Sequence, residues 1–360
     1  MSEENITAIP NMPKKRVDWI DVAKGITIIL TIIGHTVSDG KTESITRGLI
    51  YSFHMPLFFI LSLVTFRLSN DASDLKRNII RGFRHLIIPT IVIVIIRTIL
   101  QCSMINGLFL SKKFWLDKIY TWIFCSGVNF EFNRSTVYGI GAVWFFVVLF
   151  IGRIVFDYCH LCLENDNKLL IISVILGMIG VFWGQYQWMP FSLDLVFAIQ
   201  PFFYWGYHLK NYCIDNKLIL GTIIYGAIWL CTLYLSYPNY QNWTYLELAV
   251  RRYNFFPICY ITAITGTMFI SKISFALSKF RILTKPIIFI GKNSLFLLSI
   301  HIFDDIYSGF WNIENHQFYS AFRRTIADLV MFLAFMYIRY VVLKFFLSRK
   351  NSQKNIASGT

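Results

Sequence analysis

Stretches of about twenty apolar residues recur along this chain, and each is long enough to cross the hydrocarbon core of a bilayer as a helix. They fall at roughly 17–37, 49–66, 86–106, 139–158, 168–186, 191–209, 217–236, 254–271, 286–303 and 326–346. In lipid every backbone N–H and C=O needs an internal partner, so spanning segments are helices or closed barrels. Runs of this length fit helices. The expected fold is all-α: a polytopic membrane protein with about ten transmembrane helices. Composition agrees, because only 15% of the residues are charged, where soluble domains have about 25%.

Basic residues set the orientation. With the N-terminus inside, the inner connections hold about twice the Lys and Arg of the outer ones, which puts both termini in the cytoplasm. The net charge of +14 is then a cytoplasmic excess beside anionic headgroups, and nucleic acid is excluded as a partner. The expected organisation is an N-terminal tail (1–15), one transmembrane domain (16–346) and a C-terminal tail (347–360). No small-residue cleavage pattern comes after the first apolar run, so it reads as a retained span. The aromatic connection at 107–138 has room for an interfacial or re-entrant helix. Pro56, Pro201 and Pro257 fall inside spans and should bend them. The seven cysteines lie mostly in or beside apolar runs and read as small hydrophobes. Cys159 and Cys162 lack the second pair that zinc needs, and no metal is expected.

The first span carries polar residues at chosen heights. Asp21, Lys24, Thr27, Thr31 and His35 are spaced 3, 3, 4 and 4 apart, which puts them on one helical face. Lys24 and His35 are separated by about 16 Å of rise. Ionisable groups inside a span are costly and mark function by default. His54 in the second span and His301 in the ninth reach the depth of His35, in the outer third of the bilayer. Trp144 and Asp194 lie near that level, with Glu131 in an outer loop. On the inner side Lys24, Arg77, Arg81, Arg84, Lys292 and Asn293 suit an anionic, phosphate-bearing ligand. Each group also has a structural alternative. His54 can serve carbonyls freed by Pro56, His301 can be an interfacial histidine, the arginines can be positive-inside residues, and Asp21 with Lys24 can be an i,i+3 pair.

The stretch DVAKGITIILTIIGH resembles the first span of the acyltransferase family 3 membrane proteins, especially the branch similar to fucose 4-O-acetylases. SFHMPLFFILS, RGFRHLIIP, GAVWFFVVLF, SLDLVFAIQPFFYWGYHLK and IGKNSLFLLSIH resemble later blocks of that family in the same order. The likeness covers about 16–345. Two positions depart from it: Lys24 stands where the family usually has arginine, and Leu63 where it commonly has glycine after the serine. The resemblance implies transfer of an acyl group, usually acetyl from cytoplasmic acetyl-CoA, to a hydroxyl of a cell-envelope sugar, in a bacterial plasma membrane. The family histidine falls on His35.

That implied reaction suits the two layers. The inner basic groups would hold coenzyme A, and its pantetheine arm would carry the thioester up to the histidines. An imidazole is a suitable general base for a hydroxyl, which makes His35 the expected base. His54, Trp144, Ser294 and Asn293 are candidate oxyanion donors. Asp194 or Glu131 is a candidate to orient the imidazole, and Glu131, Trp144 and His301 are candidates to bind the acceptor. Partners are the acyl-CoA, the envelope glycan and the bilayer. Oligomeric state stays open, a homodimer included. A transporter of an envelope lipid or small anion is the rival class, and another donor such as succinyl-CoA is the rival within the enzyme class.

Overall fold

A computed structural model describes residues 17–37, 41–104, 112–132, 135–163, 165–210, 212, 214, 217–235, 246–304, 308–311, 313 and 316–357. The protein is a helical membrane bundle; among the described residues seven helices are long and apolar enough to cross a bilayer, or eight if one bent pair is a single span. In chain order the helices are α1 (Asp18–Thr36), α2 (Lys41–Tyr51), α3 (His54–Val64), α4 (Ala72–Gly82), α5 (Ile88–Met104), α6 (Lys112–Phe124), α7 (Trp144–Cys162), α8 (Asp166–Tyr186), α9 (Leu193–Ala198), α10 (Gln200–Leu209), α11 (Leu218–Tyr234), α12 (Ile258–Ser278), α13 (Arg281–Lys292), α14 (Ser294–Asp304), α15 (Ser308–Trp311) and α16 (Gln317–Ala357). Two short antiparallel hairpins pair β1 (Phe130–Phe132) with β2 (Ser135–Val137), and β3 (Leu246–Glu247) with β4 (Arg252–Tyr253).

Several spans differ from the pattern expected from hydropathy. The basic connection before the third span is itself helical. α4 runs through a π-helical turn (Phe83–Ile87) into α5, so one apolar helix extends over Ala72–Leu100. The run expected at 191–209 is split at Ile199 into α9 and α10, because Pro201 has no N–H to continue the ladder. α11 has 17 residues. α13 and α14 meet at 65° around Asn293. The other two prolines mark helix starts instead of mid-span bends. Pro56 lies in the first turn of α3, where an N–H is unpaired anyway, and Pro257 caps α12. The aromatic loop does hold a helix, α6. The N-terminal tail lies outside the described residues, and α16 continues past 346.

α1 is the central post. It packs against α2, α3, α12, α13, α14 and α16. Its contact with α13 is backbone on backbone. A Cβ at Gly291 would run into the Asp21 carbonyl, and one at Gly25 into the Ile287 carbonyl. Small residues permit this approach in lipid, where packing rather than hydrophobicity holds helices together. Around α1 a continuous core includes Ile28, Ile32, Leu57, Phe59, Phe202 and Phe203. Outward faces of α5, α8, α11 and α16 present large apolar side chains, such as Ile99, Ile171, Ile223 and Leu333, as lipid-facing surfaces require.

Gly291→Ala should force α1 and α13 apart. We expect a loss of about 1–3 kcal/mol, the usual cost of overpacking, read as a lower thermal midpoint of the detergent-solubilised protein.

Candidate functional site

Two helix breaks and one helix start border a cavity at the end of the bundle where α1 finishes. The chain interrupts α2 and α3 at Ser52–Phe53, breaks α13 and α14 at Asn293, and begins α7 at Trp144. Between these ends lies a cavity of about 240 Å³, lined by Thr31, His35, Arg47, Tyr51, His54, Arg97, Trp144, Glu247, Ser294 and His301 among others. Three of the chain's seven histidines share it.

Each histidine is held differently. His35 ends the polar face of α1 and is exposed to the cavity; its Nδ1 lies 3.2 Å from the Tyr51 hydroxyl. His54 is buried, with Nδ1 3.2 Å from the Ile50 carbonyl oxygen. A carbonyl only accepts, so Nδ1 carries the hydrogen. That carbonyl also accepts the Phe53 N–H at 3.3 Å, so His54 adds a second donor to a backbone group at the break. The break itself is held by Trp229, whose Nε1–H donates to Ser52 Oγ at 2.8 Å. His301 is only 2% exposed, and its Nδ1 meets Asp328 Oδ2 of α16 at 2.8 Å. The His35 and His301 rings are 5.4 Å apart between centroids, and Tyr51 and His54 are 4.6 Å apart.

The mouth carries charge. Arg47 pairs with Glu247 at 3.3 Å and lies over the Tyr51 ring at 4.7 Å. Arg97 donates to the Ile140 carbonyl at 2.7 Å. Glu247 arrives on the β3–β4 hairpin, which roofs the cavity through Leu246, Glu247 and Leu248.

A second cavity, of about 330 Å³, opens toward the other end of the bundle. Its walls are the C-terminal parts of α3 and α7 and the π-helical join after α4. From His54 to Thr65 along α3 is about 16 Å of rise, so the two cavities are stacked in depth. Arg67, Arg81, His85 and Arg153 line it, together with Asp157. The extra residue of a π turn rotates the helix beyond it, and such turns recur at functional sites. Arg153 donates to the Ser62 carbonyl at 3.2 Å and stacks on Phe66. Asp157 is fully buried but satisfied: the Ser69 N–H and hydroxyl each donate at 2.7 Å, and Asn78 donates at 3.0 Å. Leu295, just past the bend at Asn293, lines both cavities.

The candidate residues therefore sort into three groups. His35, His54, His301 and Trp144 share the upper cavity. Of the basic candidates, Arg81 lines the lower one. Arg77 is two-thirds exposed and pairs with Asp74, Arg84 and Lys292 are exposed on the outside of their helices, and Asn293 donates its amide to the Phe289 carbonyl at 2.9 Å. Lys24 is half-buried on α1 and lines neither cavity.

Asp194 and Glu131, expected to orient a histidine or meet an acceptor, line neither cavity. Asp194 is fully buried in another place, with Oδ2 2.7 Å from Arg251 Nε and Oδ1 taking the Met189 N–H. Arg251 also donates to Ser192 Oγ and stacks on Trp188 at 4.0 Å. This pair ties the roof hairpin to the start of α9. Glu131 is exposed on β1 and accepts the Thr136 hydroxyl at 2.7 Å. Glu247 lines the histidine cavity with Arg47, Arg97 and Tyr51, and Asp328 stands behind it through His301. Hydropathy hid these five: Tyr51 and Arg97 fall within apolar runs, Arg47 reads as an outer loop charge, Glu247 comes after an unpatterned loop, and Asp328 is a lone acid in the last span.

His301, Asp304 and Asp328 form a buried cluster with ligand atoms within 4.8 Å of one another. The donor set does not fit a cation, because Arg324 already occupies Asp304 at 2.6 Å and Trp311 Nε1–H donates to the same carboxylate.

A family model described as an acyltransferase domain matches residues 17–348. No curated protein matches the chain.

Asp194→Ala would strand Arg251 in a dry interior. We expect a loss of about 3–5 kcal/mol, read as a lower thermal midpoint of the detergent-solubilised protein.

Proposed function

Since the chain belongs to the acyltransferase family, we propose that it is a membrane O-acetyltransferase. It moves acetyl from cytoplasmic acetyl-CoA to a hydroxyl of a cell-envelope sugar, in the plasma membrane of a bacterium. The observation that carries this reading is a pair of unlike cavities, one basic and one rich in histidine, that share Leu295 as a wall. Phosphates and adenosine would occupy the lower cavity against Arg67, Arg81 and Arg153. The pantetheine arm would pass Leu295, and the thioester would stop among the histidines. This reading puts the end of the bundle carrying Asp18 and Arg281 in the cytoplasm.

Chemistry in the upper cavity is set by its residues. His35 takes the proton from the acceptor hydroxyl as its oxygen attacks the thioester carbonyl carbon. The C–S bond breaks, coenzyme A leaves as the thiolate, and the proton passes from His35 to sulfur. Tyr51 holds the His35 ring. Ser294 and Trp144 line the cavity as donors for the oxyanion, while His54, whose one hydrogen is taken by the Ile50 carbonyl, offers only an acceptor at Nε2. The base touches an acceptor from one side of the membrane and a donor from the other, so the acyl group crosses while coenzyme A does not.

Purified protein in lipid nanodiscs should release free coenzyme A from acetyl-CoA, and envelope glycans should gain the mass of one acetyl only in cells carrying the protein. Glycans unchanged in mass, with no coenzyme A released, would sink the reading; a succinyl mass would change the donor. His35→Ala should lower turnover at least 100-fold while the thermal midpoint holds. Arg81→Ala should raise the KM for acetyl-CoA about tenfold and leave the acceptor KM alone, whereas Arg77→Ala, on the exposed face, should change neither. Donor KM measured for both variants checks the placement.

A further inference from the structure

The histidine cavity contains a feature that base catalysis by His35 does not use. His301 and Asp328 form a buried pair between α14 and α16, 2% and 0% exposed, with Nδ1 and Oδ2 2.8 Å apart. An ionised carboxylate has only acceptors, so the hydrogen of this bond is on Nδ1 of His301. In the neutral ring Nε2 then carries the lone pair. A histidine held this way is a fixed hydrogen-bond acceptor, which is the arrangement that orients working imidazoles elsewhere.

The surroundings leave this role to Asp328. One helical turn further along α14, Asp304 sits on the same face as His301, three residues on. Arg324, four residues before Asp328 on α16, takes the Asp304 carboxylate at 2.6 Å. Its Nη1 also reaches Thr36 Oγ1 at 3.5 Å. Two rungs therefore join α14 to α16: a guanidinium–carboxylate rung that is structural, and an imidazole–carboxylate rung that borders the cavity. Only the second presents a ring to a substrate.

We propose that Asp328 is a positioning residue, and that the His301–Asp328 pair holds a second hydroxyl of the acceptor, on the carbon next to the one His35 activates. This rests on the acyl-transfer reading above and names the acceptor's class: a sugar or polyol with two free hydroxyls on adjacent carbons. The fit is geometric. The His35 and His301 ring centroids are 5.4 Å apart. Hydroxyl oxygens on adjacent carbons are separated by about one hydrogen-bond length, so each can meet one ring. Both rings accept; a diol supplies two donors. The reacting O–H gives its proton to His35, and the neighbouring O–H keeps its proton and donates to His301 Nε2. An acceptor lacking that neighbour denies the buried ring this donor, and sites built to bind a hydroxyl reject such analogues strongly.

The test has two arms on the full-length protein in native membranes and nanodiscs. NMR of the acylated envelope glycan locates the new ester. We expect it beside a free hydroxyl on the adjacent carbon; an ester flanked only by deoxy, substituted or nitrogen-bearing carbons would overturn the proposal. With that glycan as acceptor, Asp328→Asn should raise acceptor KM at least tenfold while the acetyl-CoA KM stays put, and Asp328→Glu should recover part of the loss. In a His301→Ala background, Asp328→Asn should add nothing, because Asp328 acts only through the ring. Equal changes in both KM values, or additive effects in the double variant, would reduce Asp328 to a structural role and end the proposal. If wild-type membranes carry no new ester on any glycan, the acetyltransferase reading falls and the diol site with it; an ester at an isolated hydroxyl removes only the diol site.

Discussion

The contact between α1 and α13 sets the depth of everything else. Gly25 and Gly291 let the two backbones touch, and that contact fixes where α13 ends relative to α1. The bend at Asn293 comes within two residues. From there α14 leaves at 65° and carries His301 beside His35. A wider crossing would displace α14 and separate the two rings. The apolar surroundings make such an arrangement workable. With few polar groups available, each break in a helix must be repaired locally. The repairs here are specific: His54 on the Ile50 carbonyl, Trp229 on Ser52, and Arg97 on Ile140.

Buried charge has two distinct uses in this protein. Arg251 with Asp194, and Arg324 with Asp304, are closed pairs whose donors and acceptors are matched within the protein. They fasten a roof hairpin and a terminal helix. The histidines are held from one side and border a space on the other. That difference separates framework from site better than burial does, since Asp194 and His301 are both nearly inaccessible.

Much of the site is legible in the sequence, for a physical reason. A polar residue inside an apolar run has a known depth once the helix is placed, so His35, His54 and His301 can be set at one level from spacing alone. Depth, however, is one coordinate. Direction around the helix and the partner across it depend on packing. Asp194 is expected at that depth from its place in an apolar run, but it faces Arg251, which lies 57 residues later in a stretch with no periodic pattern. Asp328 and Arg47 have no signal beyond being charged near a span. Among the basic candidates, a run of positive residues on a helix gives no hint that Arg81 lines a cavity while Arg77 faces outward; the π turn after Gly82 decides what lies along that wall. Pro56 and Pro257 look like mid-span kinks in hydropathy because a helix start leaves no mark there.

The glycine crossing also has a consequence in time. Gly25 and Gly291 are separated by about 270 residues, and synthesis at the usual rate takes on the order of tens of seconds to cover that distance. α1 is made first, yet α12, α13, α14 and α16, which cover much of it, are made last. For that interval a helix with Asp21, Lys24 and His35 on one face waits in or beside the bilayer for the partners that will cover it. Membrane insertion of this chain is thus a problem of holding its first helix until its last third arrives.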